Sequence, residues 1–203
     1  MRKIDKKEII KHYSNLISKY GFNKLGMGWG NNQLDERYDI FLKHLNFKDK
    51  NILDYGCGIS NLYNFLNKKK IKYKKYFAYD INPNLNSFYT NKKFKKFKFI
   101  NKKKDILREN IDFSISNGVH NFYTKNDLSN FVNDINFLFK ISKIGFGISF
   151  LNDNVDYKEK YLSYKKMTNV YKILKKLNCN YIIDQTFKKY ETFLIVYKNK
   201  NLM

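Results

Sequence analysis

The densest chemical signal in the chain is a carboxylate and two glycines at one strand end, followed by a second carboxylate on the next strand. Ile52-Leu53-Asp54-Tyr55-Gly56-Cys57-Gly58 runs from a short apolar stretch into a glycine turn, and Asn61-Leu62 beyond it opens a helical pattern. Without side chains at Gly56 and Gly58 the backbone can approach a bound molecule closely, and the helix start behind the turn offers unpaired N–H groups. Asp80 closes the next apolar run, roughly twenty residues on, where a carboxylate can accept the hydroxyls of a ribose. The bland alternative is that Asp54 and Asp80 merely cap a turn and a helix.

Dinucleotides are one class of ligand for such a unit, but their fingerprint needs a third glycine at the spacing GxGxxG, and Asn61 stands there. Negative charge at Asp54 would also repel a pyrophosphate. S-adenosylmethionine (SAM) carries a sulfonium and an ammonium instead, so carboxylates beside it are favourable. His120 is the one histidine expected at the rim of such a site, and imidazole titrates in the range useful for accepting a proton. His12 and His44 fall in helical stretches, where a place on the polar face is the default. Trp29, Tyr13 and Tyr123 could wall an acceptor pocket, although aromatics in a chain this rich in them are more often core.

These residues need a frame, and the periodicity supplies one. Lys6 to Tyr20 and Leu34 to Leu45 read as helices flanking a glycine-rich loop, Gly26-Met27-Gly28-Trp29-Gly30. Strand and helix patterns then alternate: strands at Asn51 to Tyr55, Tyr76 to Ile81, Phe97 to Ile100, Ile111 to Ser116 and Ile144 to Phe150, with helices at Asn61 to Leu66, Asn84 to Tyr89, Leu128 to Phe139 and Tyr164 to Leu177. Such alternation implies an α/β domain with a largely parallel sheet. Tyr181 to Thr186 and Thr192 to Tyr197 are strand-like but separated by Phe187 to Glu191 alone, which is too short for a parallel crossover. They are expected to form an antiparallel hairpin.

With these motifs in place, ILDYGCG and the distal acid of AYDINP resemble the first two motifs of class I SAM-dependent methyltransferases. Lys104-Asp105-Ile106-Leu107 resembles their third motif and Phe113-Ser114-Ile115-Ser116-Asn117-Gly118-Val119-His120-Asn121 their fourth. Tyr20-Gly21, Gly28-Trp29-Gly30, Gln33 and Arg37 are similar to a bacterial subgroup with a helical lid before the first strand. The resemblance implies a Rossmann-like, mostly parallel seven-stranded sheet with a C-terminal antiparallel hairpin, preceded by two N-terminal helices. Residues 1–50 would be the lid and 51–203 the core of a single domain. It further implies SAM as cofactor, held by Asp54, Gly56, Gly58, Asp80, Ile81, Asp105, Ile106 and Ser116, with Arg37 pairing the SAM carboxylate. Trp29, Tyr13, Asn117 and Tyr123 would meet the acceptor, and His120 would be the catalytic residue. Ser60 departs from the pattern, since many members have a third glycine there.

Composition bounds the rest. The 203 residues, 43% hydrophobic, suffice for one sizeable core. No stretch approaches the ~18 apolar residues of a membrane span, and the charged start Met1-Arg2-Lys3 lacks an apolar signal core, so a cytoplasmic protein is expected. Cys57 and Cys179 lack metal-ligand spacing. The net charge of +22 would favour nucleic acid as partner. Yet arginine occurs only at Arg2, Arg37 and Arg108, alanine only at Ala78 and proline only at Pro83, the pattern of a lysine- and asparagine-biased coding sequence. The lysines scatter over Lys68 to Lys75, Lys92 to Lys98 and Lys102 to Lys104 without forming a nucleic-acid module. A methyltransferase acting on an oxygen or nitrogen of a small polar metabolite, such as a sugar or nucleotide-sugar, is therefore the expected activity. A nucleic-acid methyltransferase and a non-catalytic SAM-binding protein are the alternatives.

Overall fold

The computed structural model describes residues 3–30, 33–90 and 94–198. The chain start at Met1-Arg2 and the lysines Lys92 and Lys93 lie outside them. Two helices, α1 (Lys3–Tyr20) and α2 (Leu34–His44), precede β1 (Asn51–Tyr55), α3 (Asn61–Lys68), β2 (Lys75–Tyr79), α4 (Asn84–Thr90) and β3 (Phe97–Ile100). A 3₁₀ helix at Lys103–Arg108 leads to β4 (Ile111–Ser116), α5 (Asp127–Ile141), β5 (Ser142–Asn152), β6 (Tyr164–Lys165), α6 (Met167–Leu177), β7 (Asn180–Asp184) and β8 (Glu191–Tyr197).

The sheet runs β3-β2-β1-β4-β5-β8-β7, with the short β6 attached to β5, so it has one strand more than expected. Strands β1 to β5 pair in parallel, and β8 pairs antiparallel with both β5 and β7. The expected hairpin is present, and its strand β8, antiparallel to β5, lies between β5 and β7. β6 takes the first residues of the helix expected from Tyr164, so α6 begins only at Met167. Pairing Leu151 with Tyr164 satisfies backbone groups that would otherwise be unpaired at the end of β5.

Alternation along each strand divides the core into two layers. Ile52, Phe193 and Ile195 face α2, α3 and α4, where Phe41, Phe65 and Leu85 are buried. Leu53, Leu194 and Val196 face α5 and α6, where Phe131, Leu138 and Leu174 are buried. β1 is buried at every position because it lies mid-sheet and is covered on both sides. Among the described residues, no helix is long and apolar enough to cross a membrane.

Candidate functional site

β1 is flanked by β2 on one side and β4 on the other, so the chain leaves the sheet in opposite directions from β1 and β4. In an open parallel sheet, the carboxyl ends of such strands border a crevice. A cleft lies there, lined by Asp54, Gly56, Gly58, Asp80 and Ile81 from the first two strand ends and by Asn117 and His120 beyond β4. It holds about 1140 Å³ of empty space, its open mouth included.

Gly56 has φ +80°, a left-handed conformation that disfavours a side chain, and a Cβ there would overlap Val119. The turn thus brings the ends of β1 and β4 into direct contact. Gly118, φ +69°, gives room to Trp29, whose ring would lie 2.7 Å from a Cβ at that position. Backbone N–H groups of Gly56 and Cys57 both donate to the Tyr79 carbonyl, at 2.7 and 3.0 Å, tying the turn to β2. Asp80 is half-buried and accepts the N–H of Gly58 at 3.0 Å and of Asn82 at 2.9 Å.

Charge in this cleft is held against the cost of burial. Burial pushes the Asp54 carboxyl up to about 7, although the Tyr76 hydroxyl donates to it, and burial also raises Asp80. Two nearby carboxyls shifted upward suit a cationic ligand, which would return both to the ionised form. Two fixed donors accompany them. The Asn82 side-chain oxygen accepts the Asn84 N–H at 3.1 Å and that of Asn117 accepts the Ser149 hydroxyl at 2.7 Å. Among the described residues, both amide nitrogens are buried without a hydrogen-bond partner, as is Nε2 of His120, and all three residues line the cleft. Buried polar atoms in that state are uncommon and fit a site completed by a ligand.

His120 is 6% exposed, with Nε2 3.6 Å from Oδ2 of Asp134. Burial lowers its pKa to about 4 against the pull of that carboxylate, so the imidazole is uncharged at neutral pH. Asp134 itself accepts the Tyr55 hydroxyl at 2.8 Å and the Lys103 ammonium at 2.6 Å. Above the cleft, α1 supplies Ile9 and Tyr13, and burial raises the Tyr13 phenol to about 12. The helix is held there by Asp5, fully buried, which accepts the side-chain amides of Asn130 at 2.9 Å and Asn126 at 3.3 Å. His12 stacks on Phe122 with ring centres 4.4 Å apart.

Of the residues singled out from sequence, Asp54, Gly56, Gly58, Asp80, Ile81, Trp29, Tyr13, Asn117 and His120 share this cleft. Five do not line it. Arg37 gives its planar fork to Glu191, at 2.7 and 2.9 Å, because that fully buried carboxylate needs a countercharge; its guanidinium also lies 4.9 Å from the ring centre of Trp29. Asp105 faces Arg108 at 3.7 Å, since the 3₁₀ helix turns Ile106 wholly into the core and Lys103 toward Asp134. Ser116, the last residue of β4, is fully buried short of the opening, and Tyr123 is 54% exposed on the outer surface. Sequence reading missed Asp134, Asn82, Asn130 and Tyr38. Asp134 carried a signal: it falls between Phe131 and Leu138 on the apolar stripe of α5, where an unpaired acid would be costly.

No protein-family model matches the sequence, and no curated protein does. Solved structures do match. The magnesium protoporphyrin IX methyltransferase (ChlM) from Synechocystis PCC 6803, solved with bound S-adenosylhomocysteine (SAH), superposes with a TM-score of 0.64 at 15% identity, covering 95% of this chain and 100% of that one. DhpI in a SAM-HEP complex gives 0.67 at 9% identity over 97% and 99% of the two chains. A chain of the Pnkp1/Rnl/Hen1 RNA repair complex gives 0.67 at 13% identity over 95% of this chain and 47% of that one. Strand order, reversed strand and these superpositions agree: the fold of this chain is the Rossmann-like fold of class I SAM-dependent methyltransferases.

Proposed function

We propose that the chain is a SAM-dependent methyltransferase acting on an oxygen or nitrogen atom of a small polar metabolite. The observation that carries this reading is the meeting of Asp54, the Gly56–Gly58 turn and Asp80 in one cleft at the carboxyl ends of β1 and β2. In this reading Asp54 meets the donor's ammonium and Asp80 its ribose, while Asn82 and Asn117 offer side-chain amide donors at the cleft. When bound, SAM supplies a methyl group already activated by its sulfonium. The chain's own work is then to position and enclose: Trp29 and Tyr13 wall the space, α1 covers it, and reacting atoms held in line need little further assistance. His120, uncharged and facing Asp134, is the residue to receive a proton from an acceptor hydroxyl or amine.

Enclosure by Ile9 and Tyr13 favours a small acceptor over a polymer threaded through the site. The net charge of +22 favours the second reading, a nucleic-acid acceptor. Calorimetry with SAH tests the donor assignment. The wild type should bind, and Asp80→Ala should weaken binding by ~1.5–3 kcal/mol, the range for hydrogen bonds involving a charged group. Unchanged affinity in Asp80→Ala would reject the ribose assignment. A screen of sugars, nucleotide-sugars and oligonucleotides with labelled SAM then separates the two acceptor classes.

A further inference from the structure

The glycine turn contains one residue that ought to resist its conformation. Ser60, 1% exposed, sits at φ +57°, ψ 48°, a left-handed conformation in which a Cβ is unfavourable. Its hydroxyl lies 2.6 Å from the Tyr89 hydroxyl, which donates to the Gly58 carbonyl at 2.7 Å. The phenol has one proton, and Gly58 receives it; the Ser60 hydroxyl therefore donates to the phenol oxygen. The result is a directed chain, Ser60 to Tyr89 to Gly58. At the other end of the same residue, the Gly58 N–H donates to Asp80. Gly58 is thus gripped on both sides, by the carboxylate of the cleft and by Tyr89 behind it.

Tyr89 belongs to α4 and does not line the cleft. Its ring is fixed by stacking on Phe99, centres 4.2 Å apart, and on Phe97, 5.5 Å apart. That stack anchors the hydroxyl to the β3 side of the sheet. We propose that Ser60 and Tyr89 act as one positioning unit that holds the Gly56–Gly58 turn in its ligand-binding shape, with the serine hydroxyl bond offsetting the strain that a glycine at position 60 would avoid. The proposal rests on the reading of the cleft as the donor site.

SAH affinity measured by calorimetry for the full chain tests it. Tyr89→Phe and Ser60→Ala each cut the same hydrogen-bond chain, so each should weaken binding about tenfold, and the double variant should also lose only about tenfold. Ser60→Gly placed in the Tyr89→Phe background should restore affinity to within about threefold of wild type, because glycine holds the left-handed conformation without help. A general loss of structural integrity would not be repaired in this way. If Tyr89→Phe fails to fold, Ser60→Ala and its comparison with Ser60→Gly read the same chain from the other end. A double variant weakened about a hundredfold, absence of rescue by glycine, or wild-type affinity in Tyr89→Phe would each overturn the proposal while leaving the donor site intact. A wild-type chain that binds no SAH would overturn both.

Discussion

Asp54 shows how burial of one carboxyl couples stability to pH. In the folded chain its pKa is raised from 3.8 to about 7, so between these values the folded state holds a proton that the unfolded state has lost. Stability from this group is therefore full below about 4 and declines as pH rises toward 7. His120, lowered to about 4, and Asp184, lowered by the Thr186, His44 and Lys43 contacts that outweigh its burial, act with the opposite sign. The comparison of wild type with Asp54→Asn isolates the first effect. In denaturant titrations of the ligand-free chain, the stability gap in favour of Asp54→Asn should widen as pH rises from about 4 to 7. Under the proposed function, the amine of SAH favours the ionised carboxylate, so wild-type affinity should increase from about pH 6 to 8 and Asp54→Asn should flatten that rise. A parallel pH profile in the variant would remove Asp54 from the ammonium site.

Among the elements, α1 stands apart. Its buried residues are few, Asp5 and Ile17, and it is fastened at its first turn through a carboxylate to α5. An acid in the first turn also suits the partial positive charge of a helix N-terminus. Asp5→Ala would leave the buried Asn130 amide short of an acceptor at a cost of ~1–3 kcal/mol. Amide hydrogen exchange should then quicken along Lys3–Tyr20 while β1, β4 and β5 keep their protection, and SAH should dissociate faster. Unaltered exchange in α1 would show that His12 on Phe122 and the 3.1 Å bond between Asn84 and Ser14 hold the helix without Asp5. The 3₁₀ helix at Lys103–Arg108 makes the complementary point: a short element can exchange the roles of neighbours, directing the Lys103 ammonium to the buried Asp134 and pairing Asp105 with Arg108.

For the whole molecule, part of the positive charge is neutralised in ion pairs. Lys68 and Lys69 pair with Asp35 and Asp39, Lys98 with Glu109, and Lys103 and Lys165 turn inward to Asp134 and Asp127. A net +22 still predicts association with any polyanion at low ionic strength. Binding to single-stranded oligonucleotides should be sequence-independent and fall by at least ~10³ between about 50 and 200 mM salt. Fluorescence anisotropy across a salt series checks this. Retained, sequence-dependent binding at the higher salt would move the acceptor from a metabolite to a nucleic acid.

Strand positions, the glycine turn, the cleft carboxylates Asp54 and Asp80 and the terminal hairpin were legible in the sequence because each depends on local pattern: alternation, a helical repeat, glycine spacing or a connection too short to cross over. Partner choice among distant residues was not legible, because a side chain's partner is set by which elements the sheet order makes neighbours. That is why Arg37 meets Glu191 across 154 positions instead of facing the cleft, and why Asp134 rather than Asp105 lines it. Ser60 combines both levels. Its departure from glycine is visible in the sequence, whereas the Tyr89 hydroxyl that receives it comes from a helix placed by tertiary packing.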